Sequence, residues 1–385
     1  MSEVIRQYER CFSNLVGAKN AFAFWKGRVA LYAILKAMGI SPGDEVILPG
    51  YTCVVNANAI KYLGAKPIYV DIEPNTFGID PTCLEAKITP KTKVIIAQHT
   101  YGYPCDMDAV MDIASKRNIT VIEDCCLAFG STLKGKIVGT FGKAAYFSFQ
   151  WNKPFTTGIG GMAITNDSSL AERINEICQT EIVQPGFRET MMLGAQLAAY
   201  RLFVYPRTTV WAHAVFNYFV AKGIMIGSST SCEFGLKKAD DFFKAMSSVQ
   251  ASSGIRQLKK IAANIEHHRK MAQLYDELLA QKGWYGQRYD NKLMNPVLVR
   301  YPVRIKEKNK ALAEAVRCGI ELGSWFEGPL HPIGTPLAAY DYEVGMCPEA
   351  EKASREVVNL ALHPRTNRKT AKKAVKFLTV FTQTR

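Results

Sequence analysis

Four short β-branched runs fall between residues 45 and 124: Glu45–Pro49, Ile68–Asp71, Lys93–Ala97 and Thr120–Asp124. Each runs into a polar or turn segment, and stretches of helical spacing at Val54–Leu63 and Asp106–Arg117 lie between them. Parallel strands need a long crossover, and a helix is the usual one. Strands alternating with helices over more than a hundred residues therefore predict an α/β domain on a mostly parallel central sheet. Such sheets bind ligands outside the carboxyl ends of their strands. The loops after Pro49, Asp71, Ala97 and Asp124 are expected along that one edge.

The fourth run brings chemistry to the edge. Thr120-Val-Ile-Glu-Asp124 ends in two carboxylates, and Lys153 follows among aromatics, with Gly158, Gly160 and Gly161 close behind. A lysine amine in an apolar, glycine-lined pocket with an acid beside it suits pyridoxal phosphate. The amine condenses with the cofactor aldehyde, and the acid favours a protonated pyridine nitrogen. A protonated ring withdraws electrons and so stabilises a carbanion next to it. Each feature alone has an ordinary reading. Either carboxylate could cap a helix, and a lysine near glycines is commonly solvated. Together, with the flanking pattern, they favour the cofactor.

Further signals are weaker singly. Gly27-Arg28 opens the helical run Val29–Met38, and a helix N-terminus presents free N–H groups to an anion such as a phosphate. His99 follows the third strand and reads equally as a neighbour of the cofactor ring or as a hydrogen-bonded core histidine. Residues 1–20 read as an amphipathic helix with Val4, Tyr8, Phe12 and Leu15 on one face. A long helical run starts at Met246, Pro296–Ile305 reads as a strand and Lys308–Arg317 as a helix.

Composition narrows the class. The chain has 385 residues, enough for a large and a smaller domain, and 48% hydrophobic with 21% charged residues suits a soluble globular protein. Met1-Ser-Glu-Val-Ile-Arg does not read as a signal peptide, and ten cysteines without a C-x-x-C pair suit reduced thiols in a cytoplasm. No metal site is expected. The net charge of +14 invites an anionic partner. No nucleic-acid-binding signature accompanies it, and the lysines of 369–376 read as a solvated helix face. A negatively charged small substrate is the economical reading. Residues 191–226 are unusually aromatic, with Tyr200, Phe203, Tyr205, Trp211, Phe216, Tyr218 and Phe219, but Arg201, Pro206, Arg207 and Lys222 interrupt them. The uncharged runs are too short to span a bilayer. Packed helices are favoured there over weak peripheral membrane contact through 190–226.

Pro49-Gly-Tyr-Thr52, Gly64-Ala-Lys-Pro-Ile-Tyr-Val-Asp71, Gly78-Ile-Asp80-Pro81, His99-Thr-Tyr-Gly102, Glu123-Asp124, Ser148-Phe149 with Lys153, and Gly160-Gly161 occur in that order. This series resembles the DegT/StrS-type sugar aminotransferases, within fold type I of the pyridoxal-phosphate enzymes. The likeness is close over 17–175 and looser over 240–365. It implies a large cofactor-binding α/β domain over 17–245, interrupted by an insertion at about 184–235. A smaller α+β domain would combine 1–16 with 246–385 and include a bridging helix. Lys153 matches the Schiff-base lysine and Asp124 the partner of the pyridinium nitrogen. Ser148 and Gly27-Arg28 match positions that hold the cofactor phosphate, and His331 a substrate-side position. Two residues depart from the pattern. Leu127 stands where a Gln or His usually meets the ring oxygen, and Cys53 where an aromatic usually stacks on the ring. Tyr51 or His99 would then supply the stacking.

By this resemblance the expected activity is transfer of an amino group, with glutamate as donor, to a keto-sugar, expected to be nucleotide-linked, by a homodimer. Relatives with histidine in place of the lysine dehydrate instead, and the retained Lys153 favours transamination. A sugar dehydratase, an aminotransferase for a free keto-sugar acid or cyclitol, and a cofactor-binding regulator without turnover are the rivals.

Overall fold

The computed structural model describes residues 2–151, 153–203 and 236–384, together with residues 215, 218 and 227. Its central sheet has seven strands: β1 (Asn20–Phe24), β2 (Glu45–Pro49), β4 (Lys66–Val70), β5 (Thr92–Gln98), β6 (Thr120–Asp124), β9 (Ala144–Ser148) and β10 (Gly161–Thr165). They lie in the order β1-β10-β9-β6-β5-β2-β4. Pairing is parallel from β4 through to β9, and β10 is antiparallel to both of its neighbours. Strands β2 and β10 are buried along their whole length. That explains why they read as unbroken apolar runs, since both sheet faces are covered.

Helices α1 (Glu3–Val16), α2 (Gly27–Ala37), α3 (Val54–Lys61), α4 (Pro81–Leu84), α5 (Met107–Lys116) and α6 (Ser168–Glu181) accompany these strands. The chain leaves β2 for β4 on one side and then crosses back to add β5 on the other. The crevice at such a reversal is where open α/β sheets bind ligands. Here it lies one strand away from the end of β6.

Three small sheets complete the molecule. Strands β12 (Arg300–Arg304), β13 (Leu322–Gly323) and β15 (Val357–Ala361) form an antiparallel sheet in the C-terminal part. Strands β7 (Thr132–Leu133), β8 (Lys136–Ile137) and β11 (Met294–Asn295) form a second. The third joins the two parts of the chain. Strand β14 (Leu330–His331) pairs in parallel with β3 (Thr52–Cys53), setting His331 opposite Cys53 at the ligand edge.

Helix α1, grouped by sequence with the C-terminal part, packs both on the helix Ser248–Leu258 and on the central sheet. Its stripe Ile5, Tyr8, Phe12 and Val16 shares a core with Phe147, Phe149 and Met162. Those four residues recur at helical spacing and need one continuous apolar surface, which the sheet face provides. Tyr8 also lies on Gly254, where a Cβ would come within 2.4 Å of its ring. The long helical run after Met246 is two helices, Ser248–Leu258 and Ile261–Ala280. The break at Lys259-Lys260 lets Ile255 and Leu258 stay in the core beneath α1, while Met271, Tyr275 and Leu279 reach the core shared with the C-terminal sheet. The C-terminal helix Arg368–Leu378 buries Ala371, Ala374, Val375 and Leu378 and leaves its lysines on the outside.

In the aromatic segment, α7 (Phe187–Phe203) packs Leu193 and Leu197 against Trp25, Trp151 and Ile159. Its other side leaves Phe187, Met191 and Leu202 exposed. Tyr205, Trp211, Phe216 and Phe219 lie outside the described residues. No helix among the described residues is long and apolar enough to cross a membrane.

Candidate active site

Asp124 ends β6 and is 4% exposed. Its Oδ2 accepts a hydrogen bond from Asn56 Nδ2 at 2.9 Å, and its Oδ1 accepts one from the Cys126 N–H at 2.9 Å. Lys153 is half-buried in the loop after β9, with its amine turned inward to donate to the Cys126 carbonyl at 2.6 Å. One residue thus ties the two together, its N–H on the carboxylate and its C=O on the amine. Lys153 lines one small cleft with Ser148, Leu127 and Cys126. Behind it, Gly27 presses on Ser148. A Cβ at Gly27 would fall 2.7 Å from Ser148 Cβ, so a larger residue would displace the wall. Gly27 begins α2, and no side chain caps that helix N-terminus. Arg28, in the same first turn, is buried.

Of the Glu123-Asp124 pair, only Asp124 is tied to Lys153 through Cys126. Successive side chains on a strand face opposite ways. Glu123 turns to the other side, where Oε1 accepts from the N–H groups of Phe141 and Gly142, both at 2.7 Å. Its Oε2 accepts from the Gly139 N–H at 2.6 Å and from His99 Nε2 at 3.0 Å. His99 Nδ1 accepts from the Cys105 N–H, which fixes the proton on Nε2. Both nitrogens are engaged and the ring is fully buried. His99 is a core histidine, not a neighbour of the cofactor ring. Cys125 brings a third ligand-type atom within 4.8 Å of this pair, but protein donors already fill the Glu123 carboxylate. Glu123→Gln would set an amide NH2 against backbone donors in a buried site. It is expected to destabilise the fold by about 2–4 kcal/mol, read as a lower urea midpoint with cofactor binding retained.

Tyr51 is corrected in the same way. Its ring is fully buried against Phe77, Tyr101 and Phe326. Its hydroxyl accepts from the Phe326 N–H at 3.0 Å and meets the Tyr101 hydroxyl at 2.8 Å. Burial pushes that hydroxyl up to about 12. Tyr51 holds the C-terminal part onto the ligand edge and has no face left for a cofactor. His331 does stand at that edge, its ring 5.4 Å from Phe326 and 6.3 Å from Trp325. Burial, opposed by Glu327, lowers its pKa to about 4, so it is neutral at physiological pH.

Sequence reasoning missed the residues that steady Asp124. Asn56 also donates to Thr52 Oγ1 at 2.9 Å, and Thr52 donates to Gln98 Oε1 at 2.5 Å. Thr52 lies in β3 and Asn56 in the first turn of α3, which follows it directly. Gln98 pairs in register with Asp124 across β5 and β6.

The sequence matches the DegT/DnrJ/EryC1/StrS aminotransferase family over residues 1–200 and 241–379. The chain belongs to this family. It is 32% identical to GDP-perosamine synthase of Caulobacter vibrioides over 374 residues, covering 93% of this chain and 85% of that one. A shorter match, 44% identical over 176 residues, is to UDP-2-acetamido-2-deoxy-3-oxo-D-glucuronate aminotransferase of Pseudomonas aeruginosa, covering 46% of this chain and 49% of that one. The fold superposes on a Streptococcus pneumoniae protein solved in its PLP form, with a TM-score of 0.78, 21% identity and coverage of 99% of this chain and 91% of that one. This DegT/DnrJ/EryC1/StrS member is a fold type I aminotransferase, and its cofactor is pyridoxal phosphate.

The residues present fit that group. A buried carboxylate held by two donors, an inward amine and an uncapped helix N-terminus beside Ser148 are the three features the cofactor needs. Burial, opposed by Cys126, Asp124 and Cys53, lowers the pKa of the Lys153 amine below the ordinary lysine value of 10.5. In cofactor-free protein the folded state therefore binds this proton less tightly than the unfolded state does. Below the folded pKa the charged amine costs stability. That cost fades as pH rises toward 10.5. Lys153→Met is accordingly expected to stabilise the cofactor-free protein at pH 7, by a margin that shrinks by pH 10. Urea denaturation at the two values checks it, and an equal margin at both contradicts it.

Proposed function

We propose that this aminotransferase moves an amino group from glutamate to a keto-sugar, most economically a nucleotide-linked one, for amino-sugar or surface-polysaccharide synthesis. The bridge through Cys126 carries the reading, because it sets an acid and a neutralisable amine at fixed positions on one residue. The names of the Caulobacter and Pseudomonas relatives, each a nucleotide-linked sugar, support the acceptor class. The chain's net charge of +14 suits a phosphorylated acceptor. A cytoplasmic homodimer is part of the same proposal.

Bound pyridoxal phosphate supplies an electron sink beside the carbon that exchanges its amine. The N–H groups at the start of α2 and the Ser148 hydroxyl would hold its phosphate. Asp124, kept in place by Asn56 and Cys126, would hold a negative charge against the ring nitrogen and favour its protonated form. Lys153 would take a proton from the donor carbon and return it on the other side, acting as general base and then general acid. Its lowered pKa makes the neutral amine more available for the first of these steps. His331, neutral and placed beside Cys53, would face the substrate.

Incubation with glutamate and GDP- or UDP-linked keto-sugars, followed by mass spectrometry, tests this. The expected result is an aminated sugar formed together with one equivalent of 2-oxoglutarate. A product that has lost water without gaining nitrogen would make the chain a dehydratase. No release of 2-oxoglutarate with any acceptor would remove the proposal.

A further inference from the structure

Tyr146, in the middle of β9, takes no part in the chemistry above, yet register sets it beside the groups assigned to the cofactor. It pairs with Asp124 across the parallel strands β6 and β9. Residues in register on neighbouring strands point to the same sheet face, about 4.8 Å apart. Ser148 lies two residues further along β9, and alternation returns it to that face as well. The Tyr146 side chain is thus a neighbour both of the acid assigned to the ring nitrogen and of the hydroxyl assigned to the phosphate. It is 1% exposed.

The Tyr146 hydroxyl is buried and meets no partner at hydrogen-bonding geometry among the described residues. The polar side chains behind the acid are matched. Asn56 donates to Thr52 and Asp124, Thr52 to Gln98, and Gln98 to the Tyr51 carbonyl and the Thr100 hydroxyl. Buried polar side chains are paired in the large majority of cases, so one left over calls for an explanation. Asp124 is near enough to supply it. Burial first, and then the charge of this carboxylate, hold the Tyr146 hydroxyl well above its ordinary value of 10, so it keeps its proton and is available as a donor. An ionised carboxylate has about four acceptor positions. Asn56 and the Cys126 N–H occupy two of them. The ring nitrogen would take a third and leave a fourth for Tyr146.

We propose that Tyr146 is a positioning residue for the cofactor ring, its hydroxyl acting as a further donor to Asp124 in the loaded enzyme. Hydrogen bonds to the ionised form of an acid favour that form. A third protein donor therefore keeps the negative charge on Asp124 and the proton of the pair on the ring nitrogen. The proposal rests on the aminotransferase reading and adds a residue to the same site.

Tyr146→Phe keeps the ring and removes only the oxygen, so the variant is expected to fold. Titration with pyridoxal phosphate, followed by absorbance, is expected to show cofactor binding weakened about tenfold, the size of one hydrogen bond to a charged group. Urea denaturation of the cofactor-free variant is expected to show no loss of stability, because an unmatched buried hydroxyl contributes none. A hydroxyl with a merely structural role would do the reverse, lowering the urea midpoint and leaving cofactor affinity alone. In an Asp124→Asn background the same substitution is expected to change cofactor affinity by less than about twofold, since its effect runs through the carboxylate. Unchanged affinity in Tyr146→Phe overturns the proposal, as does a lowered midpoint without cofactor or the full effect in the Asp124→Asn background. The readout is binding, so a failed keto-sugar assay would leave the proposal standing. Failure of the parent to bind pyridoxal phosphate would remove the aminotransferase reading and this proposal with it.

Discussion

Lys153→Ala is expected to lower the rate of amino transfer by about a thousandfold or more, with the fold intact. Among the described residues the side chain makes one hydrogen bond, to the Cys126 carbonyl, from a half-buried loop position. Its loss should therefore cost little stability. What disappears is the lysine amine placed on Cys126 beside Asp124. A positioned acid–base group contributes about 10²–10⁴ in rate, and the covalent role adds to that. Stopped-flow mixing of the loaded variant with glutamate measures the loss at the step where the proton moves. A rate within tenfold of the parent would mean that another group moves the proton.

Asp124→Asn is expected to lower turnover by about a hundredfold or more and to weaken the fold as well, for two separable reasons. An amide carries no charge, so nothing holds the ring nitrogen in its protonated form; an opposite charge at such a site is worth one to three pKa units. The second reason is local. Both oxygens of Asp124 accept, one from Asn56 Nδ2 and one from the Cys126 N–H. An asparagine can offer its single oxygen to only one of them and must turn its NH2 toward the other donor. That mismatch is expected to cost about 1–3 kcal/mol. Urea denaturation reads the second effect and kcat the first. Asp124→Glu, which keeps the charge while displacing it, should recover part of the rate. If Asp124→Asn turns over at the parent rate, the carboxylate has no role in the ring's charge.

The parallel sheet was legible in sequence because buried parallel strands are continuous β-branched runs with helices between them. Asp124 stood out for the same reason, as a polar group at the end of such a run, and Lys153 as an amine among aromatics and glycines. The side chains around them were harder to place, and His99 shows why. Gln98 pairs in register with Asp124, and Ala97 with Glu123. Alternation then sends His99 to the Glu123 face and Gln98 toward Asp124, a difference of one residue that depends on register between strands. No single strand carries that information. Tyr51 was misplaced because its partners, Phe326 above all, lie 275 positions away in the chain. The pairing of β14 with β3 that brings His331 to the edge is equally remote. Asn56 could have been found. Its place in the first turn of a helix that starts at the ligand edge was visible, although nothing local marked its partner as Asp124.

The account depends on a covalent bond between the cofactor and one amine. Reducing the loaded protein with borohydride, digesting it and sequencing the tagged peptide locates that amine. The expected result is a pyridoxyl group on Lys153 and on no other lysine, lost in Lys153→Ala. A tag at another lysine, or none at all in protein that carries bound cofactor, would contradict it.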